Sequence, residues 1–168
     1  MNRLLRILKH RWLDERDAAR ALGAEGLERI QARVAASERH HSGEIRVCVE
    51  AGLPLSYLWR DAGARERAVT LFGKLRVWDT EHNNGVLIYL LLAERRIEIV
   101  ADRGLHLRVG AAHWQQILGT MRVAFRAGRF EEGLNQAVDA VDALLVRHFP
   151  LERGAANPNE LPDAPDLR

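Results

Sequence analysis

This 168-residue chain has one cysteine and very little lysine. A single cysteine, Cys48, excludes an internal disulfide and a zinc site built from cysteines, and a lone thiol is typical of a reducing compartment. We therefore expect a cytoplasmic protein. All but Lys9 and Lys74 of the 25 basic residues are arginine. Because 23 acidic residues leave a net charge of only +2, the sequence predicts no nucleic-acid partner.

Long hydrophobic runs are missing from the N-terminus. The basic residues Arg3, Arg6, Lys9 and Arg11 divide its leucines into short pieces. Residues 1–13 therefore fit neither a signal peptide nor a transmembrane helix. A helix would place its apolar residues on one face, namely Leu4, Leu5, Ile7, Leu8 and Trp12. Two interpretations remain open: this helix binds an anionic membrane surface, making the protein peripheral at the inner membrane, or it packs on its own domain.

The rest of the chain alternates between helical and strand-like patterns. A helical stripe with a break near Gly23 precedes a strand at residues 44–50, whose alternation is typical of burial mainly on one face. A helix over residues 57–73 follows. The unbroken apolar run at residues 86–93 then indicates a central strand buried on both faces, and residues 97–102 alternate again.

These strands predict a small mixed sheet. A two-residue turn at residues 94–95 would join the second and third strands into a hairpin, and a right-handed crossover would make the first and second parallel. With two further helices, the order predicts an α/β domain whose sheet of three or four strands is covered by helices. We expect an amphipathic arm at residues 1–24, the domain at 25–150, and a disordered, proline-rich tail at 151–168.

This topology brings polar residues to one rim of the sheet, where the first and second strands begin and the third ends. The expected rim residues are Glu38, His41, Glu44, Asp79, Glu81, His82, Asn83, Asn84, Asp102, Arg103 and Gly104. Carboxylate and amide oxygens suit calcium or magnesium better than zinc. The expected ligands of such an ion are Glu44, Asp79, Glu81, Asn83, Asn84 and Asp102. Phosphate-binding and dinucleotide-binding glycine motifs are missing, so no organic cofactor is expected.

Several short motifs occur in a fixed order along the chain. They are SGEIRV from residue 42, NNGVLIY from residue 83, IEIVADRGL from residue 97, MRVAF from residue 121, GRFEEG from residue 128 and HFP from residue 148. In this order they resemble the TPM domain family. The resemblance implies an α/β/α sandwich, a divalent-cation site and, for the plant lumenal member, acid phosphatase activity. The positions that match the family's motifs are Glu44, Asn83, Asn84, Gly85, Asp102 and Gly104.

Two functions of different class remain open. The first is a binding or accessory module for an unknown protein partner, associated with a membrane or with envelope proteins, whose rim holds a divalent ion. The second is a metal-assisted phosphatase in which Asp102 or Glu44 holds the ion. In that enzyme His41 or His82 would protonate the leaving oxygen. We favour the module, because no spacing in the sequence supplies a nucleophile or a positioned water.

Overall fold

The computed structural model of the chain describes residues 3–152 and 157–168. Within those ranges the chain forms seven α-helices and four β-strands. In chain order they are α1 (Arg3–Arg11), α2 (Glu15–Ser37), β1 (Ile45–Glu50), α3 (Leu55–Trp59), α4 (Ala64–Lys74), β2 (Val86–Leu91), β3 (Arg96–Ala101), α5 (Arg103–His106), α6 (Ala111–Arg126), α7 (Phe130–His148) and β4 (Asp166–Leu167).

The four strands form one open mixed sheet in the order β3-β2-β1-β4. Strand β1 is parallel to β2, and β2 is antiparallel to β3. Ile45 lies opposite Val86, which in turn lies opposite Ala101. The predicted α/β fold, the parallel pair and the meeting of three strand ends at one rim are therefore confirmed.

Helices cover both faces of the sheet and create two apolar cores. Helices α2, α6 and α7 pack on the face to which β1 contributes Val47 and Val49. Helices α3 and α4 cover the opposite face, to which β1 contributes Cys48. All six residues of β1 are buried. The prediction that β1 is buried mainly on one face was wrong, because the polar residues in its alternation are themselves covered.

A buried ion pair explains how the polar end of β1 tolerates this burial. The Arg67 guanidinium on α4 donates to both oxygens of the Glu50 carboxylate, with Nη2 2.6 Å from Oε1 and Nε 2.9 Å from Oε2, and the Tyr89 hydroxyl donates to Oε2 at 2.6 Å. A buried carboxylate is tolerated when such partners compensate for its lost hydration. The pair thus ties α4 to the sheet.

Two local predictions fail in detail because of left-handed residues. The helix expected over residues 57–73 is interrupted where Asp61 has a φ of 56°, and it forms α3 and α4 instead. The hairpin turn expected at residues 94–95 starts earlier, with a short 3₁₀ turn at Leu92–Glu94 followed by Arg95 at a φ of 49°. The break predicted near Gly23 is confirmed, because Gly23 kinks α2 with a φ of 70°.

The C-terminal tail is not disordered over residues 157–168, and this part of the prediction was wrong. Strand β4 pairs in parallel with β1 and closes that edge of the sheet. Arg46 on β1 donates to the carbonyl of Pro162 at 2.6 Å, and Leu161 is 7% exposed. Prolines interrupt regular structure over residues 157–165, but a covered apolar side chain and the paired backbone of β4 still hold the segment on the domain.

We predict that Leu161→Ala lowers the free energy of unfolding by about 2 kcal/mol, because it leaves a cavity beneath the tail. Leu107→Ala is the matched control: Leu107 is 83% exposed, so its truncation should change stability by less than about 0.5 kcal/mol. Urea denaturation of both variants measures the difference. Equal, small effects would show that the tail does not bury Leu161 in solution.

Candidate functional site

The rim is assembled by backbone contacts between the loop before β2 and the segment after β3. The Asp102 N–H donates to the carbonyl of Gly85 at 2.8 Å, and the Gly104 N–H donates to the carbonyl of Asn83 at 2.9 Å. A side chain at residue 104 would clash, since its Cβ would lie 2.5 Å from the Asn83 oxygen. Asn83 has a φ of 51°, a left-handed conformation that asparagine adopts more readily than most residues.

Two side-chain oxygens at this junction are buried without a hydrogen-bond partner in residues 3–152 and 157–168: Asn84 Oδ1 and Asp102 Oδ2. The other atoms of both side chains are engaged. Asp102 Oδ1 accepts from the Arg103 N–H at 2.7 Å and caps α5, while Asn84 Nδ2 donates to the Ser42 hydroxyl at 3.3 Å. An unpartnered buried oxygen costs about 1 to 3 kcal/mol, and more when it is charged. Each oxygen can therefore still accept a hydrogen bond or bind a cation.

Glu44, an expected ligand, is instead bound by the C-terminal tail. Its carboxylate is fully buried and accepts from Asn157 Nδ2 at 3.2 Å and from the Leu161 N–H at 3.1 Å. Burial raises the pKa of Glu44 to about 7, and these hydrogen bonds oppose the shift. Hydrogen-bond donors of the tail thus take the positions beside the Glu44 oxygens that a bound ion would need.

Glu38 lies next to this contact, at the end of α2. One of its oxygens accepts from the Ile45 N–H at 2.9 Å, where β1 begins. Burial raises the pKa of Glu38 to about 8, and the neighbouring carboxylates of Glu44 and Asp163 add to the increase. Glu38 and Glu44 are therefore a buried acidic pair that favours protonation near neutral pH.

His41 is part of a separate buried network. Its Nε2 lies 2.8 Å from the Ser37 hydroxyl, which donates to Asp142 at 2.7 Å, and its Nδ1 lies 3.0 Å from the carbonyl of Gly43. Burial lowers the pKa of His41, an effect that Asp142 partly offsets. Because both ring nitrogens are engaged inside the protein, His41 fixes the turn into β1 and does not face a ligand.

The remaining candidates lie on the surface of the rim. Asp79, Glu81, His82 and Arg103 are exposed. The Glu160 carboxylate of the tail accepts from the Glu81 N–H at 3.2 Å, and Arg103 donates to Asn83 Oδ1 at 3.2 Å. Across the described residues, no group of three or more histidine, cysteine or acidic side chains is placed to hold a metal ion. The six expected ligands thus do not converge on one point.

Sequence reasoning missed the contribution of the tail to this site. Asn157, Leu161 and Asp163 contact Glu44 or Glu38, more than 100 positions away in sequence. Isolated apolar residues in a polar segment, Leu161 and Leu167, were the one available signal. They do not recur at the spacing of a helix or a strand, so neither element could be predicted from them.

Glu38→Gln tests the buried acidic pair. The folded protein keeps a proton on Glu38 up to about pH 8, whereas the unfolded chain loses it near pH 4.5, so the free energy of unfolding should fall as the pH rises between these values. Glutamine keeps an acceptor for the Ile45 N–H but carries no charge. We expect the variant to lose part of this slope and to be more stable than wild type at pH 8 by on the order of 2 kcal/mol.

Urea denaturation at pH 5, 6.5 and 8 measures the effect. Glu28→Gln, an exposed position on the same helix, is the control and should keep the wild-type slope. Because the lowered pKa of His41 has the opposite effect on the slope below about pH 6.5, the difference between wild type and Glu38→Gln is the measure of Glu38. Equal slopes for the two proteins would mean that Glu38 is ionised in the folded protein and would contradict the prediction.

Comparisons with known proteins agree with this architecture. The solution structure of the BA42 protein from the psychrophilic bacterium Bizionia argentinensis is 27% identical, with a TM-score of 0.74, covering 86% of this chain and 94% of that one. The N-terminal domain of a P. gingivalis protein shares the fold, at 24% identity and a TM-score of 0.62, covering 81% and 90% of the two chains. A comparison with curated proteins finds no match.

The profile of the TPM domain matches residues 16–144, from the first turn of α2 to near the end of α7. This range includes the first three strands of the sheet and the junction of Asn83 and Asn84 with Asp102. Because the match covers most of the sequence, the chain belongs to the TPM domain family.

Proposed function

We propose that the protein is a binding or accessory module that holds a divalent cation, calcium or magnesium, at the junction of Asn84 and Asp102. The observation that carries this proposal is the pair of buried oxygens there, Asn84 Oδ1 and Asp102 Oδ2, which have no donor in the described ranges. Hard cations take carboxylate, amide and carbonyl oxygens, and water fills the remaining positions. One carboxylate supports weak binding, in the millimolar range known for low-charge sites.

Glu44 does not belong to this reduced ligand set, because its oxygens already accept hydrogen bonds from the tail. Asp79 and Glu81 are exposed on the loop before β2 and belong to no cluster of metal-ligating side chains within the described residues. We therefore assign the ion to Asn84 and Asp102 and treat the other expected ligands as neighbours. Their charges still attract a cation to this end of the sheet.

The alternative function, a metal-assisted phosphatase, requires a proton donor beside the ion. His41 does not fit that role, since both ring nitrogens are within 3.0 Å of protein oxygens and the side chain is fully buried. His82 is exposed on the loop before β2 and is the remaining donor candidate. The support for the enzyme is thus weaker than the support for the module.

Asp102→Asn tests the cation site directly. Asparagine retains an oxygen that can cap α5 but removes the charge, so calcium binding should weaken by about tenfold or more, as expected for loss of the only carboxylate. The measurement is a calcium titration followed by the amide chemical shifts of residues 83–85 and 102–104. Glu28→Gln, remote from the rim, should leave the titration unchanged. The absence of shifts in wild type at millimolar calcium, or an unchanged titration in Asp102→Asn, would overturn the proposal.

Hydrolysis of p-nitrophenyl phosphate at pH 5 with magnesium separates the two functions. The module predicts no hydrolysis above the buffer rate. Hydrolysis that is lost in both Asp102→Asn and His82→Gln would favour the phosphatase instead.

A second candidate function, binding of an anionic membrane surface, is favoured by the orientation of α1. This helix docks through Arg6 and His10: Arg6 donates to Glu94 at 2.9 Å, and the His10 ring accepts from the Leu53 N–H at 2.9 Å. Ile7 packs against the core formed with α3 and α4, but the other apolar residues of this face point to solvent. Exposed fractions are 69% for Leu4, 59% for Leu5, 55% for Leu8 and 83% for Trp12.

We infer that this surface contacts lipid headgroups and the outer part of the acyl chains. Trp59 on α3, 68% exposed, extends the apolar patch, and the Arg3 guanidinium lies 5.4 Å from its ring. Exposed Lys9 and Arg11 supply positive charge beside the patch. An amphipathic helix with tryptophan, leucine and basic residues is suited to lie in a membrane interface. No helix in the described part of the chain is long and apolar enough to cross a bilayer.

The variant Leu8→Glu with Trp12→Glu should weaken binding to vesicles containing phosphatidylglycerol by about tenfold or more, because it removes apolar insertion and adds repulsion. Flotation with lipid vesicles at 0.05 and 0.5 M salt measures the binding, which should fall as salt screens the charges. Leu107→Glu, exposed elsewhere, is the control. Wild-type protein that stays with the soluble fraction at low salt would contradict this second function.

A further inference from the structure

A groove of about 650 Å³ follows the outer edge of β3, at the edge of the sheet opposite β4. It extends from Arg95 at the hairpin turn to Ala101 and His106 near the rim. Helix α6 forms one wall, and Arg65 of α4 contributes to the other. Among the described residues, no strand pairs with this edge. The groove therefore has the length of a six-residue strand, about 20 Å.

The backbone of β3 presents hydrogen-bonding groups to this groove. Asp102 donates to Gly85, so the register makes every second residue of β3 point its N–H and C=O away from β2. Ile97 and Ile99 are two such residues. Arg65 Nη1 donates to the outward carbonyl of Ile99 at 2.5 Å, which agrees with this assignment. An exposed edge of this kind can accept an added strand.

The charge of the groove is mostly positive. Its lining includes the arginines at positions 65, 95, 96, 122 and 126. Of its two carboxylates, Glu94 is bound by Arg6 and His10, and Glu98 lies within 4 Å of Arg65 and Arg96. Within the described ranges, the side chains of Arg122 and Arg126 have no acidic partner. These two arginines are one turn apart on α6 and form an uncompensated pair.

A buried donor also faces this groove without a partner. Trp114 is 8% exposed and contributes to the lining, and its Nε1–H has no acceptor in the described part of the chain. Tryptophan and arginine side chains can only donate hydrogen bonds. A molecule that pairs with these donors must therefore supply hydrogen-bond acceptors and negative charge.

Arginines on an edge strand can also serve to prevent aggregation. Arg65 and Arg96 fit that role, since they contact the backbone or Glu98 of β3 itself. Protection of the edge does not account for Arg122, Arg126 or the Trp114 N–H, which lie on the facing helix. The Arg65 side chain is 52% exposed, so an incoming strand can replace its hydrogen bond to Ile99.

We propose that the outer edge of β3 binds an acidic peptide segment of a partner protein in extended conformation, as a fifth strand of the sheet. The peptide backbone pairs with Ile97 and Ile99. Its alternate acidic side chains share one face of the added strand and meet Arg122 and Arg126 of α6, and one acceptor of the peptide receives the Trp114 N–H. The cation at the rim and the α1 surface are not required for this interaction.

The probe is a capped hexapeptide of alternating glutamate and valine, titrated into the full chain and followed by NMR. We expect a saturable shift of the Trp114 indole N–H signal, identified with Trp114→Phe. Amide exchange at Ile97 and Ile99 should slow by about tenfold, because strand addition covers these N–H groups. A peptide of alternating lysine and valine should produce neither effect.

The double variant Arg122→Gln with Arg126→Gln should bind the glutamate peptide about tenfold or more weakly, since it removes two charge-assisted contacts. Arg39→Gln with Arg147→Gln, two exposed arginines outside the groove, should retain wild-type affinity and controls for net charge. The proposal is overturned if the peptide does not shift Trp114. It is also overturned if the peptide shifts Trp114 while exchange at Ile97 and Ile99 stays unchanged, since that result indicates anion binding without strand pairing.

Discussion

Complete burial of the parallel strands β1 and β2 is the constraint on which the rest of the molecule depends. Helices cover both faces of the sheet, so a polar side chain within these strands needs an internal partner. Glu50 has one in Arg67. Side chains that could meet a ligand are therefore confined to the strand ends, to the outer edge of β3 and to the helix surfaces. The rim, the groove and the exposed side of α1 are three such places.

The rim contains two kinds of buried oxygen: some accept hydrogen bonds from the protein, and others have no partner in the described residues. The Glu44 carboxylate receives donors from the C-terminal tail, and Glu38 receives one from the start of β1. Burial nevertheless raises the pKa of both, because a few hydrogen bonds do not replace full hydration. Asn84 and Asp102 keep one unpartnered oxygen each. This contrast is why we place a cation at the second pair and not at the first.

The exposed helix and the rim lie at opposite ends of the sheet. Arg6 and His10 attach α1 to Glu94, which precedes β3, while the rim lies where β3 ends. A protein attached to a membrane through α1 would therefore direct its rim away from the lipid. The β3 groove extends between these two ends and would remain open to a partner in solution.

The sequence by itself determined the α/β class, the parallel pairing of β1 with β2 and the meeting of Glu44, Asn84 and Asp102 at one rim. These features follow from local apolar periodicity and from the handedness of crossover connections. Tertiary structure alone decided that the tail binds Glu44, that α1 docks through Arg6 and His10, and that the outer edge of β3 stays open. The first two depend on contacts between distant segments, and the third depends on which strand takes the edge of the sheet. Single side chains and backbone groups make these contacts, so they leave no periodic pattern in the sequence.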